Sequence, residues 1–196
     1  MSKLIFLVGI SGSGKSTYKE EFVKNNPNVI VINRDSLRES LSGRKASLYN
    51  KRPIGRVENL INRIIDNILG DLDSDELTIL VDNTNLKLTY IKDIISSFSP
   101  SPLDSIEYIL IDTPIELAKQ RVMQRDNLSY EEVKYIDKQE KDLTELKKHI
   151  TFDEVIKVPP LTFVNTKGER YLLYNNGTEE FLHTSIGGDS TSKLNN

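Results

Sequence analysis

Cysteine is absent from all 196 residues. Its absence removes disulfides, thiolate metal sites and cysteine nucleophiles together, and it suits a reducing compartment, the cytosol being the default expectation. No apolar run approaches the roughly 20 residues that a membrane span requires. The opening LIFLVG leads into glycines without a cleavage-site pattern, so neither a membrane nor export is expected. Charge of one sign is also lacking. The formal net charge of −3 excludes the global positive field of a duplex-wrapping protein and leaves any nucleic-acid contact to a local patch. There is no internal repeat. What is present, 37% hydrophobic and 28% charged residues, excludes a disordered or collagen-like chain. The length suits one well-packed domain with a small appendage.

Strand-like apolar runs alternate with segments of helical period, the mark of βαβ units around a parallel sheet with helices on both faces. Strands are expected at Leu4 to Val8, Val29 to Ile32, Leu77 to Val81, Ile106 to Ile111 and Val155 to Val158. Helices are expected from Lys15 to Asn25 and from about Lys87 to Phe98, with another from Pro114 to about Arg125. Between these, Val57, Leu60, Ile61, Ile64, Ile65, Ile68 and Leu69 form one apolar stripe. Ser36 with Glu39 and Ser129 with Glu132 have capping-box spacing, the first opening a short helix and the second a charged helix to about Ile150. The charged helix keeps Val133, Ile136, Leu143, Leu146 and Ile150 at helical spacing. Ser42 to Pro53 reads as a long polar loop, a length usually reserved for function. After Pro160 the pattern becomes short strands between glycine turns, a small antiparallel meander. The expected organisation is a domain over 1–158, the meander over 159–186 as its appendage, and a loose tail over 187–196.

The stretch VGISGSGKST satisfies G-x-x-x-x-G-K-[ST] through Gly9, Gly14, Lys15 and Ser16. It follows a strand and opens a helix, as a phosphate-binding loop must. Such a loop turns backbone N–H groups of Ser11, Gly12, Ser13, Gly14 and Thr17 around phosphate oxygens, sends Lys15 to the β and γ phosphates and adds the Ser16 hydroxyl to a Mg²⁺ shell. The helix N-terminus contributes about half a positive charge beneath the anion. A P-loop NTPase fold binding ATP or another nucleoside triphosphate is expected.

In a doubly wound sheet the ligand lies outside the carboxyl ends of the strands, so Asn33 to Arg38 and Asp82 to Asn85 face the same crevice as the loop. Asp35 is placed to accept a proton from an attacking hydroxyl, with Arg38 on the same side to hold an anionic part of the acceptor. The alternatives are that Asp35 caps the helix or forms a local ion pair with Arg38. Asp82, at the end of a strand, is either a Mg²⁺-shell aspartate or a loop cap beside Asn83 and Thr84. Arg121 and Arg125 are four apart, and either close over the nucleotide or form a solvated face. Between Arg34 and Arg56, seven basic residues stand against Asp35 and Glu39, a net of +5. With Tyr49 for stacking, this patch suits a single-stranded nucleic-acid end, and a solvated loop explains it nearly as well.

Taken together, SGSGKST, INRDSLRES, VDNTNL and IDTPIELAKQRVMQR resemble the P-loop kinase domain of the phage polynucleotide 5′-kinases, over roughly Leu4 to Ile150. The resemblance implies transfer of the γ-phosphate of ATP, with Mg²⁺, to the 5′-hydroxyl of DNA or RNA. It implies Asp35 as general base, Arg38 gripping the phosphate next to the acceptor nucleoside, and an arginine of the lid, Arg125 in preference to Arg121, stabilising the donor. Arg34, Asp82 and Asn85 complete the expected substrate contacts. Only 46 residues follow Ile150, so a kinase without the family's fused phosphatase is expected, and the DLDSDE run at 71–76 is read as a solvated turn. A small-molecule or nucleoside kinase of the same fold, a nucleotide-gated binding protein with slow ATP hydrolysis, and a toxin-like kinase of a sugar nucleotide are the competing readings.

Overall fold

The computed structural model describes residues 3–43, 55–70, 77–97, 103–158, 162–164, 170–173 and 179–182. The polar loop from residue 44 onward, with most of the basic patch and Tyr49, the DLDSDE run and the tail lie outside the described residues.

Five parallel strands, β1 (Lys3–Val8), β2 (Val29–Ile32), β3 (Thr78–Asp82), β4 (Ser105–Asp112) and β5 (Glu154–Lys157), form one sheet in the order β2-β3-β1-β4-β5. The register pairs Leu7 with Asp82 and Val8 with Leu110, so the strand ends that carry chemistry lie side by side. β1 alternates between two apolar cores, as period-2 side chains require. Leu4, Phe6 and Val8 face one layer, and Ile5 and Leu7 face the other. The first layer is closed by α3 (Gly55–Gly70), α4 (Leu88–Ser96), α5 (Ile115–Asp126) and α6 (Tyr135–Leu146) through buried residues such as Ile61, Ile91, Val122 and Leu143. The second is covered by α1 (Lys15–Asn25) through Tyr18 and Phe22. Each fully buried Ile or Leu adds about 1.5–3 kcal/mol. The expected α/β sheet with helices on both faces is therefore the observed one. β6 (Thr162–Val164), β7 (Arg170–Leu173) and β8 (Glu179–Leu182) pair antiparallel as the expected meander.

Three local expectations are corrected. α2 (Arg34–Ser42) is capped by Asn33, whose side chain accepts the Ser36 N–H at 2.8 Å, and not by a Ser36–Glu39 box. Asparagine directly after an extended residue is an equally good cap and starts the helix earlier. Leu60 is 42% exposed and so leaves the α3 stripe, which is buried at Ile61 and Ile65. The Ser129–Glu132 box does form, with Glu132 Oε2 accepting from Ser129 N at 2.9 Å, but it closes a turn, and regular helix begins only at Tyr135.

Candidate active site

β1 ends at Val8 and the chain turns through the glycine-rich loop into α1, whose first turn lacks a side-chain cap. Its N–H groups thus remain for an anion. Gly12 takes φ +79, and a Cβ there would meet the Ala118 carbonyl oxygen of α5 at 2.3 Å, so only glycine lets the loop lie on that helix. The loop is braced from three sides. Gly9 N–H donates to Thr84 O at 3.2 Å, Thr113 Oγ1 donates to Ser13 O at 2.7 Å, and Ser11 N–H donates to Gln139 Oε1 at 2.8 Å.

Lys15 is only 9% exposed. Its Nζ donates to the carbonyls of Gly9 and Ile10, both at 2.8 Å, and to Ser13 Oγ at 3.3 Å. Burial pulls its pKa from 10.5 down to about 8, with Asp82 acting in the opposite sense. A lysine held on a glycine-rich loop in this way sets a cation beside the phosphate cradle.

Asp82 closes β3, is 3% exposed, and accepts from Asn33 Nδ2 at 3.0 Å. The same nitrogen donates to the Asp82 carbonyl at 2.7 Å. Asn33 therefore caps α2 and ties it to the end of β3 in one residue. Arg34 N–H donates to Asn83 Oδ1 at 3.0 Å, a second tie between the same elements. α2 thus holds Asp35 and Arg38 at the crevice, where they form an i,i+3 salt bridge.

Two cavities meet here. One, about 710 Å³, is lined by Ser11 to Tyr18 of the loop and first turn with Asp82, Arg121 and Arg125. The other, about 860 Å³, runs between α2, α4 and α6 past Arg34, Arg38, Tyr90 and Tyr135. Asp35, Asn83 and Thr84 line both. Among the described residues the trough carries four cations, Arg34, Arg38, Lys87 and Lys138, against four carboxylates, Asp35, Asp66, Asp93 and Asp142. The Arg34 guanidinium lies 5.8 Å from the Tyr90 ring centroid, and burial raises the Tyr90 phenol.

Expected residues fall unevenly around this junction. Ser11 to Thr17, Asp35, Asp82, Arg121 and Arg125 share the loop cavity, and Arg34, Arg38 and Asn85 border the trough. Asn85, expected as a substrate contact, is 2% exposed with its Nδ2 donating to Leu7 O at 2.7 Å and Val81 O at 2.9 Å. Its amide nitrogen locks β1 to β3, and the φ of 50° that allows this suits Asn, so its place is in the frame of the site. Of the two lid arginines, Arg121 contacts the loop, at 3.4 Å from both Gly12 O and Ser13 O. Arg125, the preferred one, grips Asp126 through Nε at 2.8 Å and an Nη at 2.7 Å.

Sequence reasoning places Asn33 at the crevice without its capping role, and passes over Gln139 and Lys119. Asn33 carries a signal, being a capping residue directly after a strand. Gln139 carries none, since it meets Ser11 across 128 residues.

The donor set fits a nucleoside triphosphate with Mg²⁺. An uncapped helix N-terminus suits phosphate, and one hydroxyl (Ser16) with one carboxylate (Asp82) suits an ion that takes few protein ligands and fills its shell with phosphate and water. Among the described residues no group of three or more His, Cys, Asp or Glu forms a denser metal site.

Residues 4–149 match the AAA domain family. The chain belongs to that family. Among solved structures this AAA domain is similar to a chain of the Pnkp1/Rnl/Hen1 RNA repair complex, at 24% identity and TM-score 0.62, covering 77% of this chain and 47% of that one. It is similar also to a chain of the PezAT toxin-antitoxin system of Streptococcus pneumoniae, at 19% identity and TM-score 0.52, covering 80% and 66%. A gluconokinase from Sinorhizobium meliloti 1021 matches at 17% identity and TM-score 0.51, covering 80% and 82%. At these identities the likeness is one of fold, that of the P-loop kinases. The AAA domain spans about half the length of the RNA repair chain it matches. Among the described residues no helix is long and apolar enough to cross a membrane.

Proposed function

We propose that the protein is a polynucleotide 5′-hydroxyl kinase, moving the γ-phosphate of ATP to the 5′-OH end of DNA or RNA. The observation that carries the reading is the position of Asp35, on the wall common to the phosphate-loop cavity and the trough. Asp35 takes the proton of the acceptor hydroxyl as that oxygen bonds to the γ-phosphorus. The bond from phosphorus to the oxygen of the leaving diphosphate breaks, and ADP departs. Arg38, one helical turn from Asp35, holds the acceptor's first phosphate, and Tyr90 with Arg34 offers an aromatic and cationic surface for the adjoining nucleotide. Lys15 and the loop amides hold the donor phosphates, and Arg121 and Arg125 lie on the donor side. Ser16 and Asp82 would hold Mg²⁺, which neutralises charge on the phosphates. The likeness to a chain of an RNA repair complex points the same way.

The even balance of charge among the described residues of the trough favours a second reading, a small hydroxyl acceptor, because a dedicated polyanion site is usually basic. Transfer of labelled γ-phosphate to a 5′-hydroxyl oligonucleotide, beside a 5′-phosphorylated control and a panel of nucleosides and polyols, separates the two. Label is expected on the 5′-hydroxyl strand alone, with Asp35→Asn losing about 10²–10⁴-fold in rate. Label on a small acceptor only, or ATP turnover with no acceptor labelled, overturns the polynucleotide reading.

A further inference from the structure

A hydrogen bond to α6 also links the linings of the two cavities. Gln139 of α6 lines the trough, and its Oε1 accepts the backbone N–H of Ser11, which lines the phosphate-loop cavity. The peptide unit that donates this N–H is the one between Ile10 and Ser11. Its other end, the Ile10 carbonyl, accepts from Lys15 Nζ at 2.8 Å. One peptide plane of the loop is thus gripped at its N–H by a trough residue and at its C=O by the lysine of the phosphate cradle. Tyr135, one turn before Gln139 on α6, also lines the trough.

α6 is well fixed for this duty. Ile136, Leu143 and Leu146 are buried in the core, and Asp137 reaches the buried Lys119 of α5 at 2.7 Å. A helix anchored along its inner face and hydrogen-bonded to the loop at its edge transmits a displacement from the trough to the loop. A phosphate loop works by the aim of its backbone dipoles, so a rotated peptide at Ile10–Ser11 changes both the amide array and the oxygen that Lys15 holds. The amides of Gly14, Ser16 and Thr17, further along the loop, take no part in this contact.

We infer that Gln139 is the positioning residue that makes the phosphate loop respond to the acceptor, so that the γ-phosphate goes to the hydroxyl in the trough and not to water. The inference rests on the transfer reading above. Removing the Gln139 acceptor leaves the Ile10–Ser11 peptide held only at its carbonyl, by Lys15 and the Ser13 N–H, and transfer loses its preference over hydrolysis.

The test measures, for each protein, labelled-phosphate transfer to a saturating 5′-hydroxyl oligonucleotide and phosphate release from ATP without it. Gln139→Met keeps the length and loses the acceptor oxygen. Its hydrolysis-to-transfer ratio is expected to rise about tenfold, through kcat for transfer and not through KM for ATP. Gln139→Glu keeps an oxygen for the Ser11 N–H, and its added charge acts on the same phosphate in both reactions, so its ratio is expected to stay close to that of wild type. In the wild-type protein, hydrogen exchange at the Ser11 amide is expected to be slow. A wild-type ratio in Gln139→Met, equal shifts in both variants, or an unprotected Ser11 amide overturns the inference while transfer itself stands. Wild-type protein that labels no oligonucleotide overturns the transfer reading and this inference with it.

Discussion

Replacing the phosphate-loop lysine, Lys15→Met, is expected to abolish nucleotide chemistry and yet stabilise the protein. In the folded chain Lys15 is buried and its pKa falls from 10.5 to about 8. The unfolded chain therefore binds more protons between pH 8 and 10.5, and stability rises with pH across that window. Below pH 8 the full penalty is present, about 3 kcal/mol at about 1.4 kcal/mol per pH unit. The bonds to the Gly9 and Ile10 carbonyls return about 1 kcal/mol each. The Lys15→Met substitution would thus leave the protein about 1 kcal/mol more stable than wild type at pH 7. By pH 10 most of the wild-type penalty has lifted, so the difference between the two proteins moves by about 2 kcal/mol in favour of wild type. Urea unfolding of both proteins at pH 7 and pH 10, without nucleotide and with a chelator, reads this directly, because every other titrating group is common to the pair and cancels. A Lys15→Met protein less stable than wild type at pH 7, by an amount that does not change at pH 10, would refute the reasoning and show that the loop carbonyls fully replace water around the ammonium.

Gly12→Ala puts a Cβ 2.3 Å from the Ala118 carbonyl at a φ of +79. Unfolding by urea is expected to show a loss of about 2–4 kcal/mol, from left-handed strain and from forcing the loop off α5, with ATP binding weakened in parallel. Lys119 differs from Lys15 although both are buried. Burial lowers Lys119, but hydrogen bonds to Asp137, Glu116 and Tyr130 outweigh that and hold it above 10.5. Its contribution is therefore complete below pH 10.5 and is lost only above it. Lys119→Met is expected to cost about 1–3 kcal/mol, at the low end for a buried ion because Glu116 and Asp137 remain half-exposed to water. The loss should be the same at pH 6 and pH 9, and Asp137→Asn should add little to it in a double-mutant cycle.

The fold is legible because its signals are local. β1 is a continuous apolar run, as a strand covered on both faces must be, and Gly9 to Ser16 punctuate the strand-to-helix turn with a pattern that few other structures require. From those two segments the placement of Asp35 and Asp82 follows through sheet topology alone. The misreadings arise where two residues can do one job. Ser36 and Glu39 have the right spacing for a cap, but Asn33 stands nearer the strand and takes the same N–H. Asn85 is a different case: it reads as a ligand contact because it follows a strand end, and it lines the trough with its amide nitrogen taken up by the Leu7 and Val81 carbonyls.

The residues left unread share a different cause. Gln139 and Lys119 act through partners brought together by packing, Gln139 with Ser11 from the far end of the domain and Lys119 with Asp137 across two helices. Neither side chain has a sequence neighbour that betrays its use, since a Gln on a charged helix and a Lys three residues after a Glu both read as solvated surface. The chemistry of a phosphate loop is encoded where the loop is written. Two of the elements that lean on the loop are α5, through Arg121, and α6, through Gln139, while α2 is tied through Asn33 to the end of β3. On the proposed transfer reading, variation at Gln139, which lines the trough and bonds the loop, is expected to change transfer to the acceptor more than ATP binding.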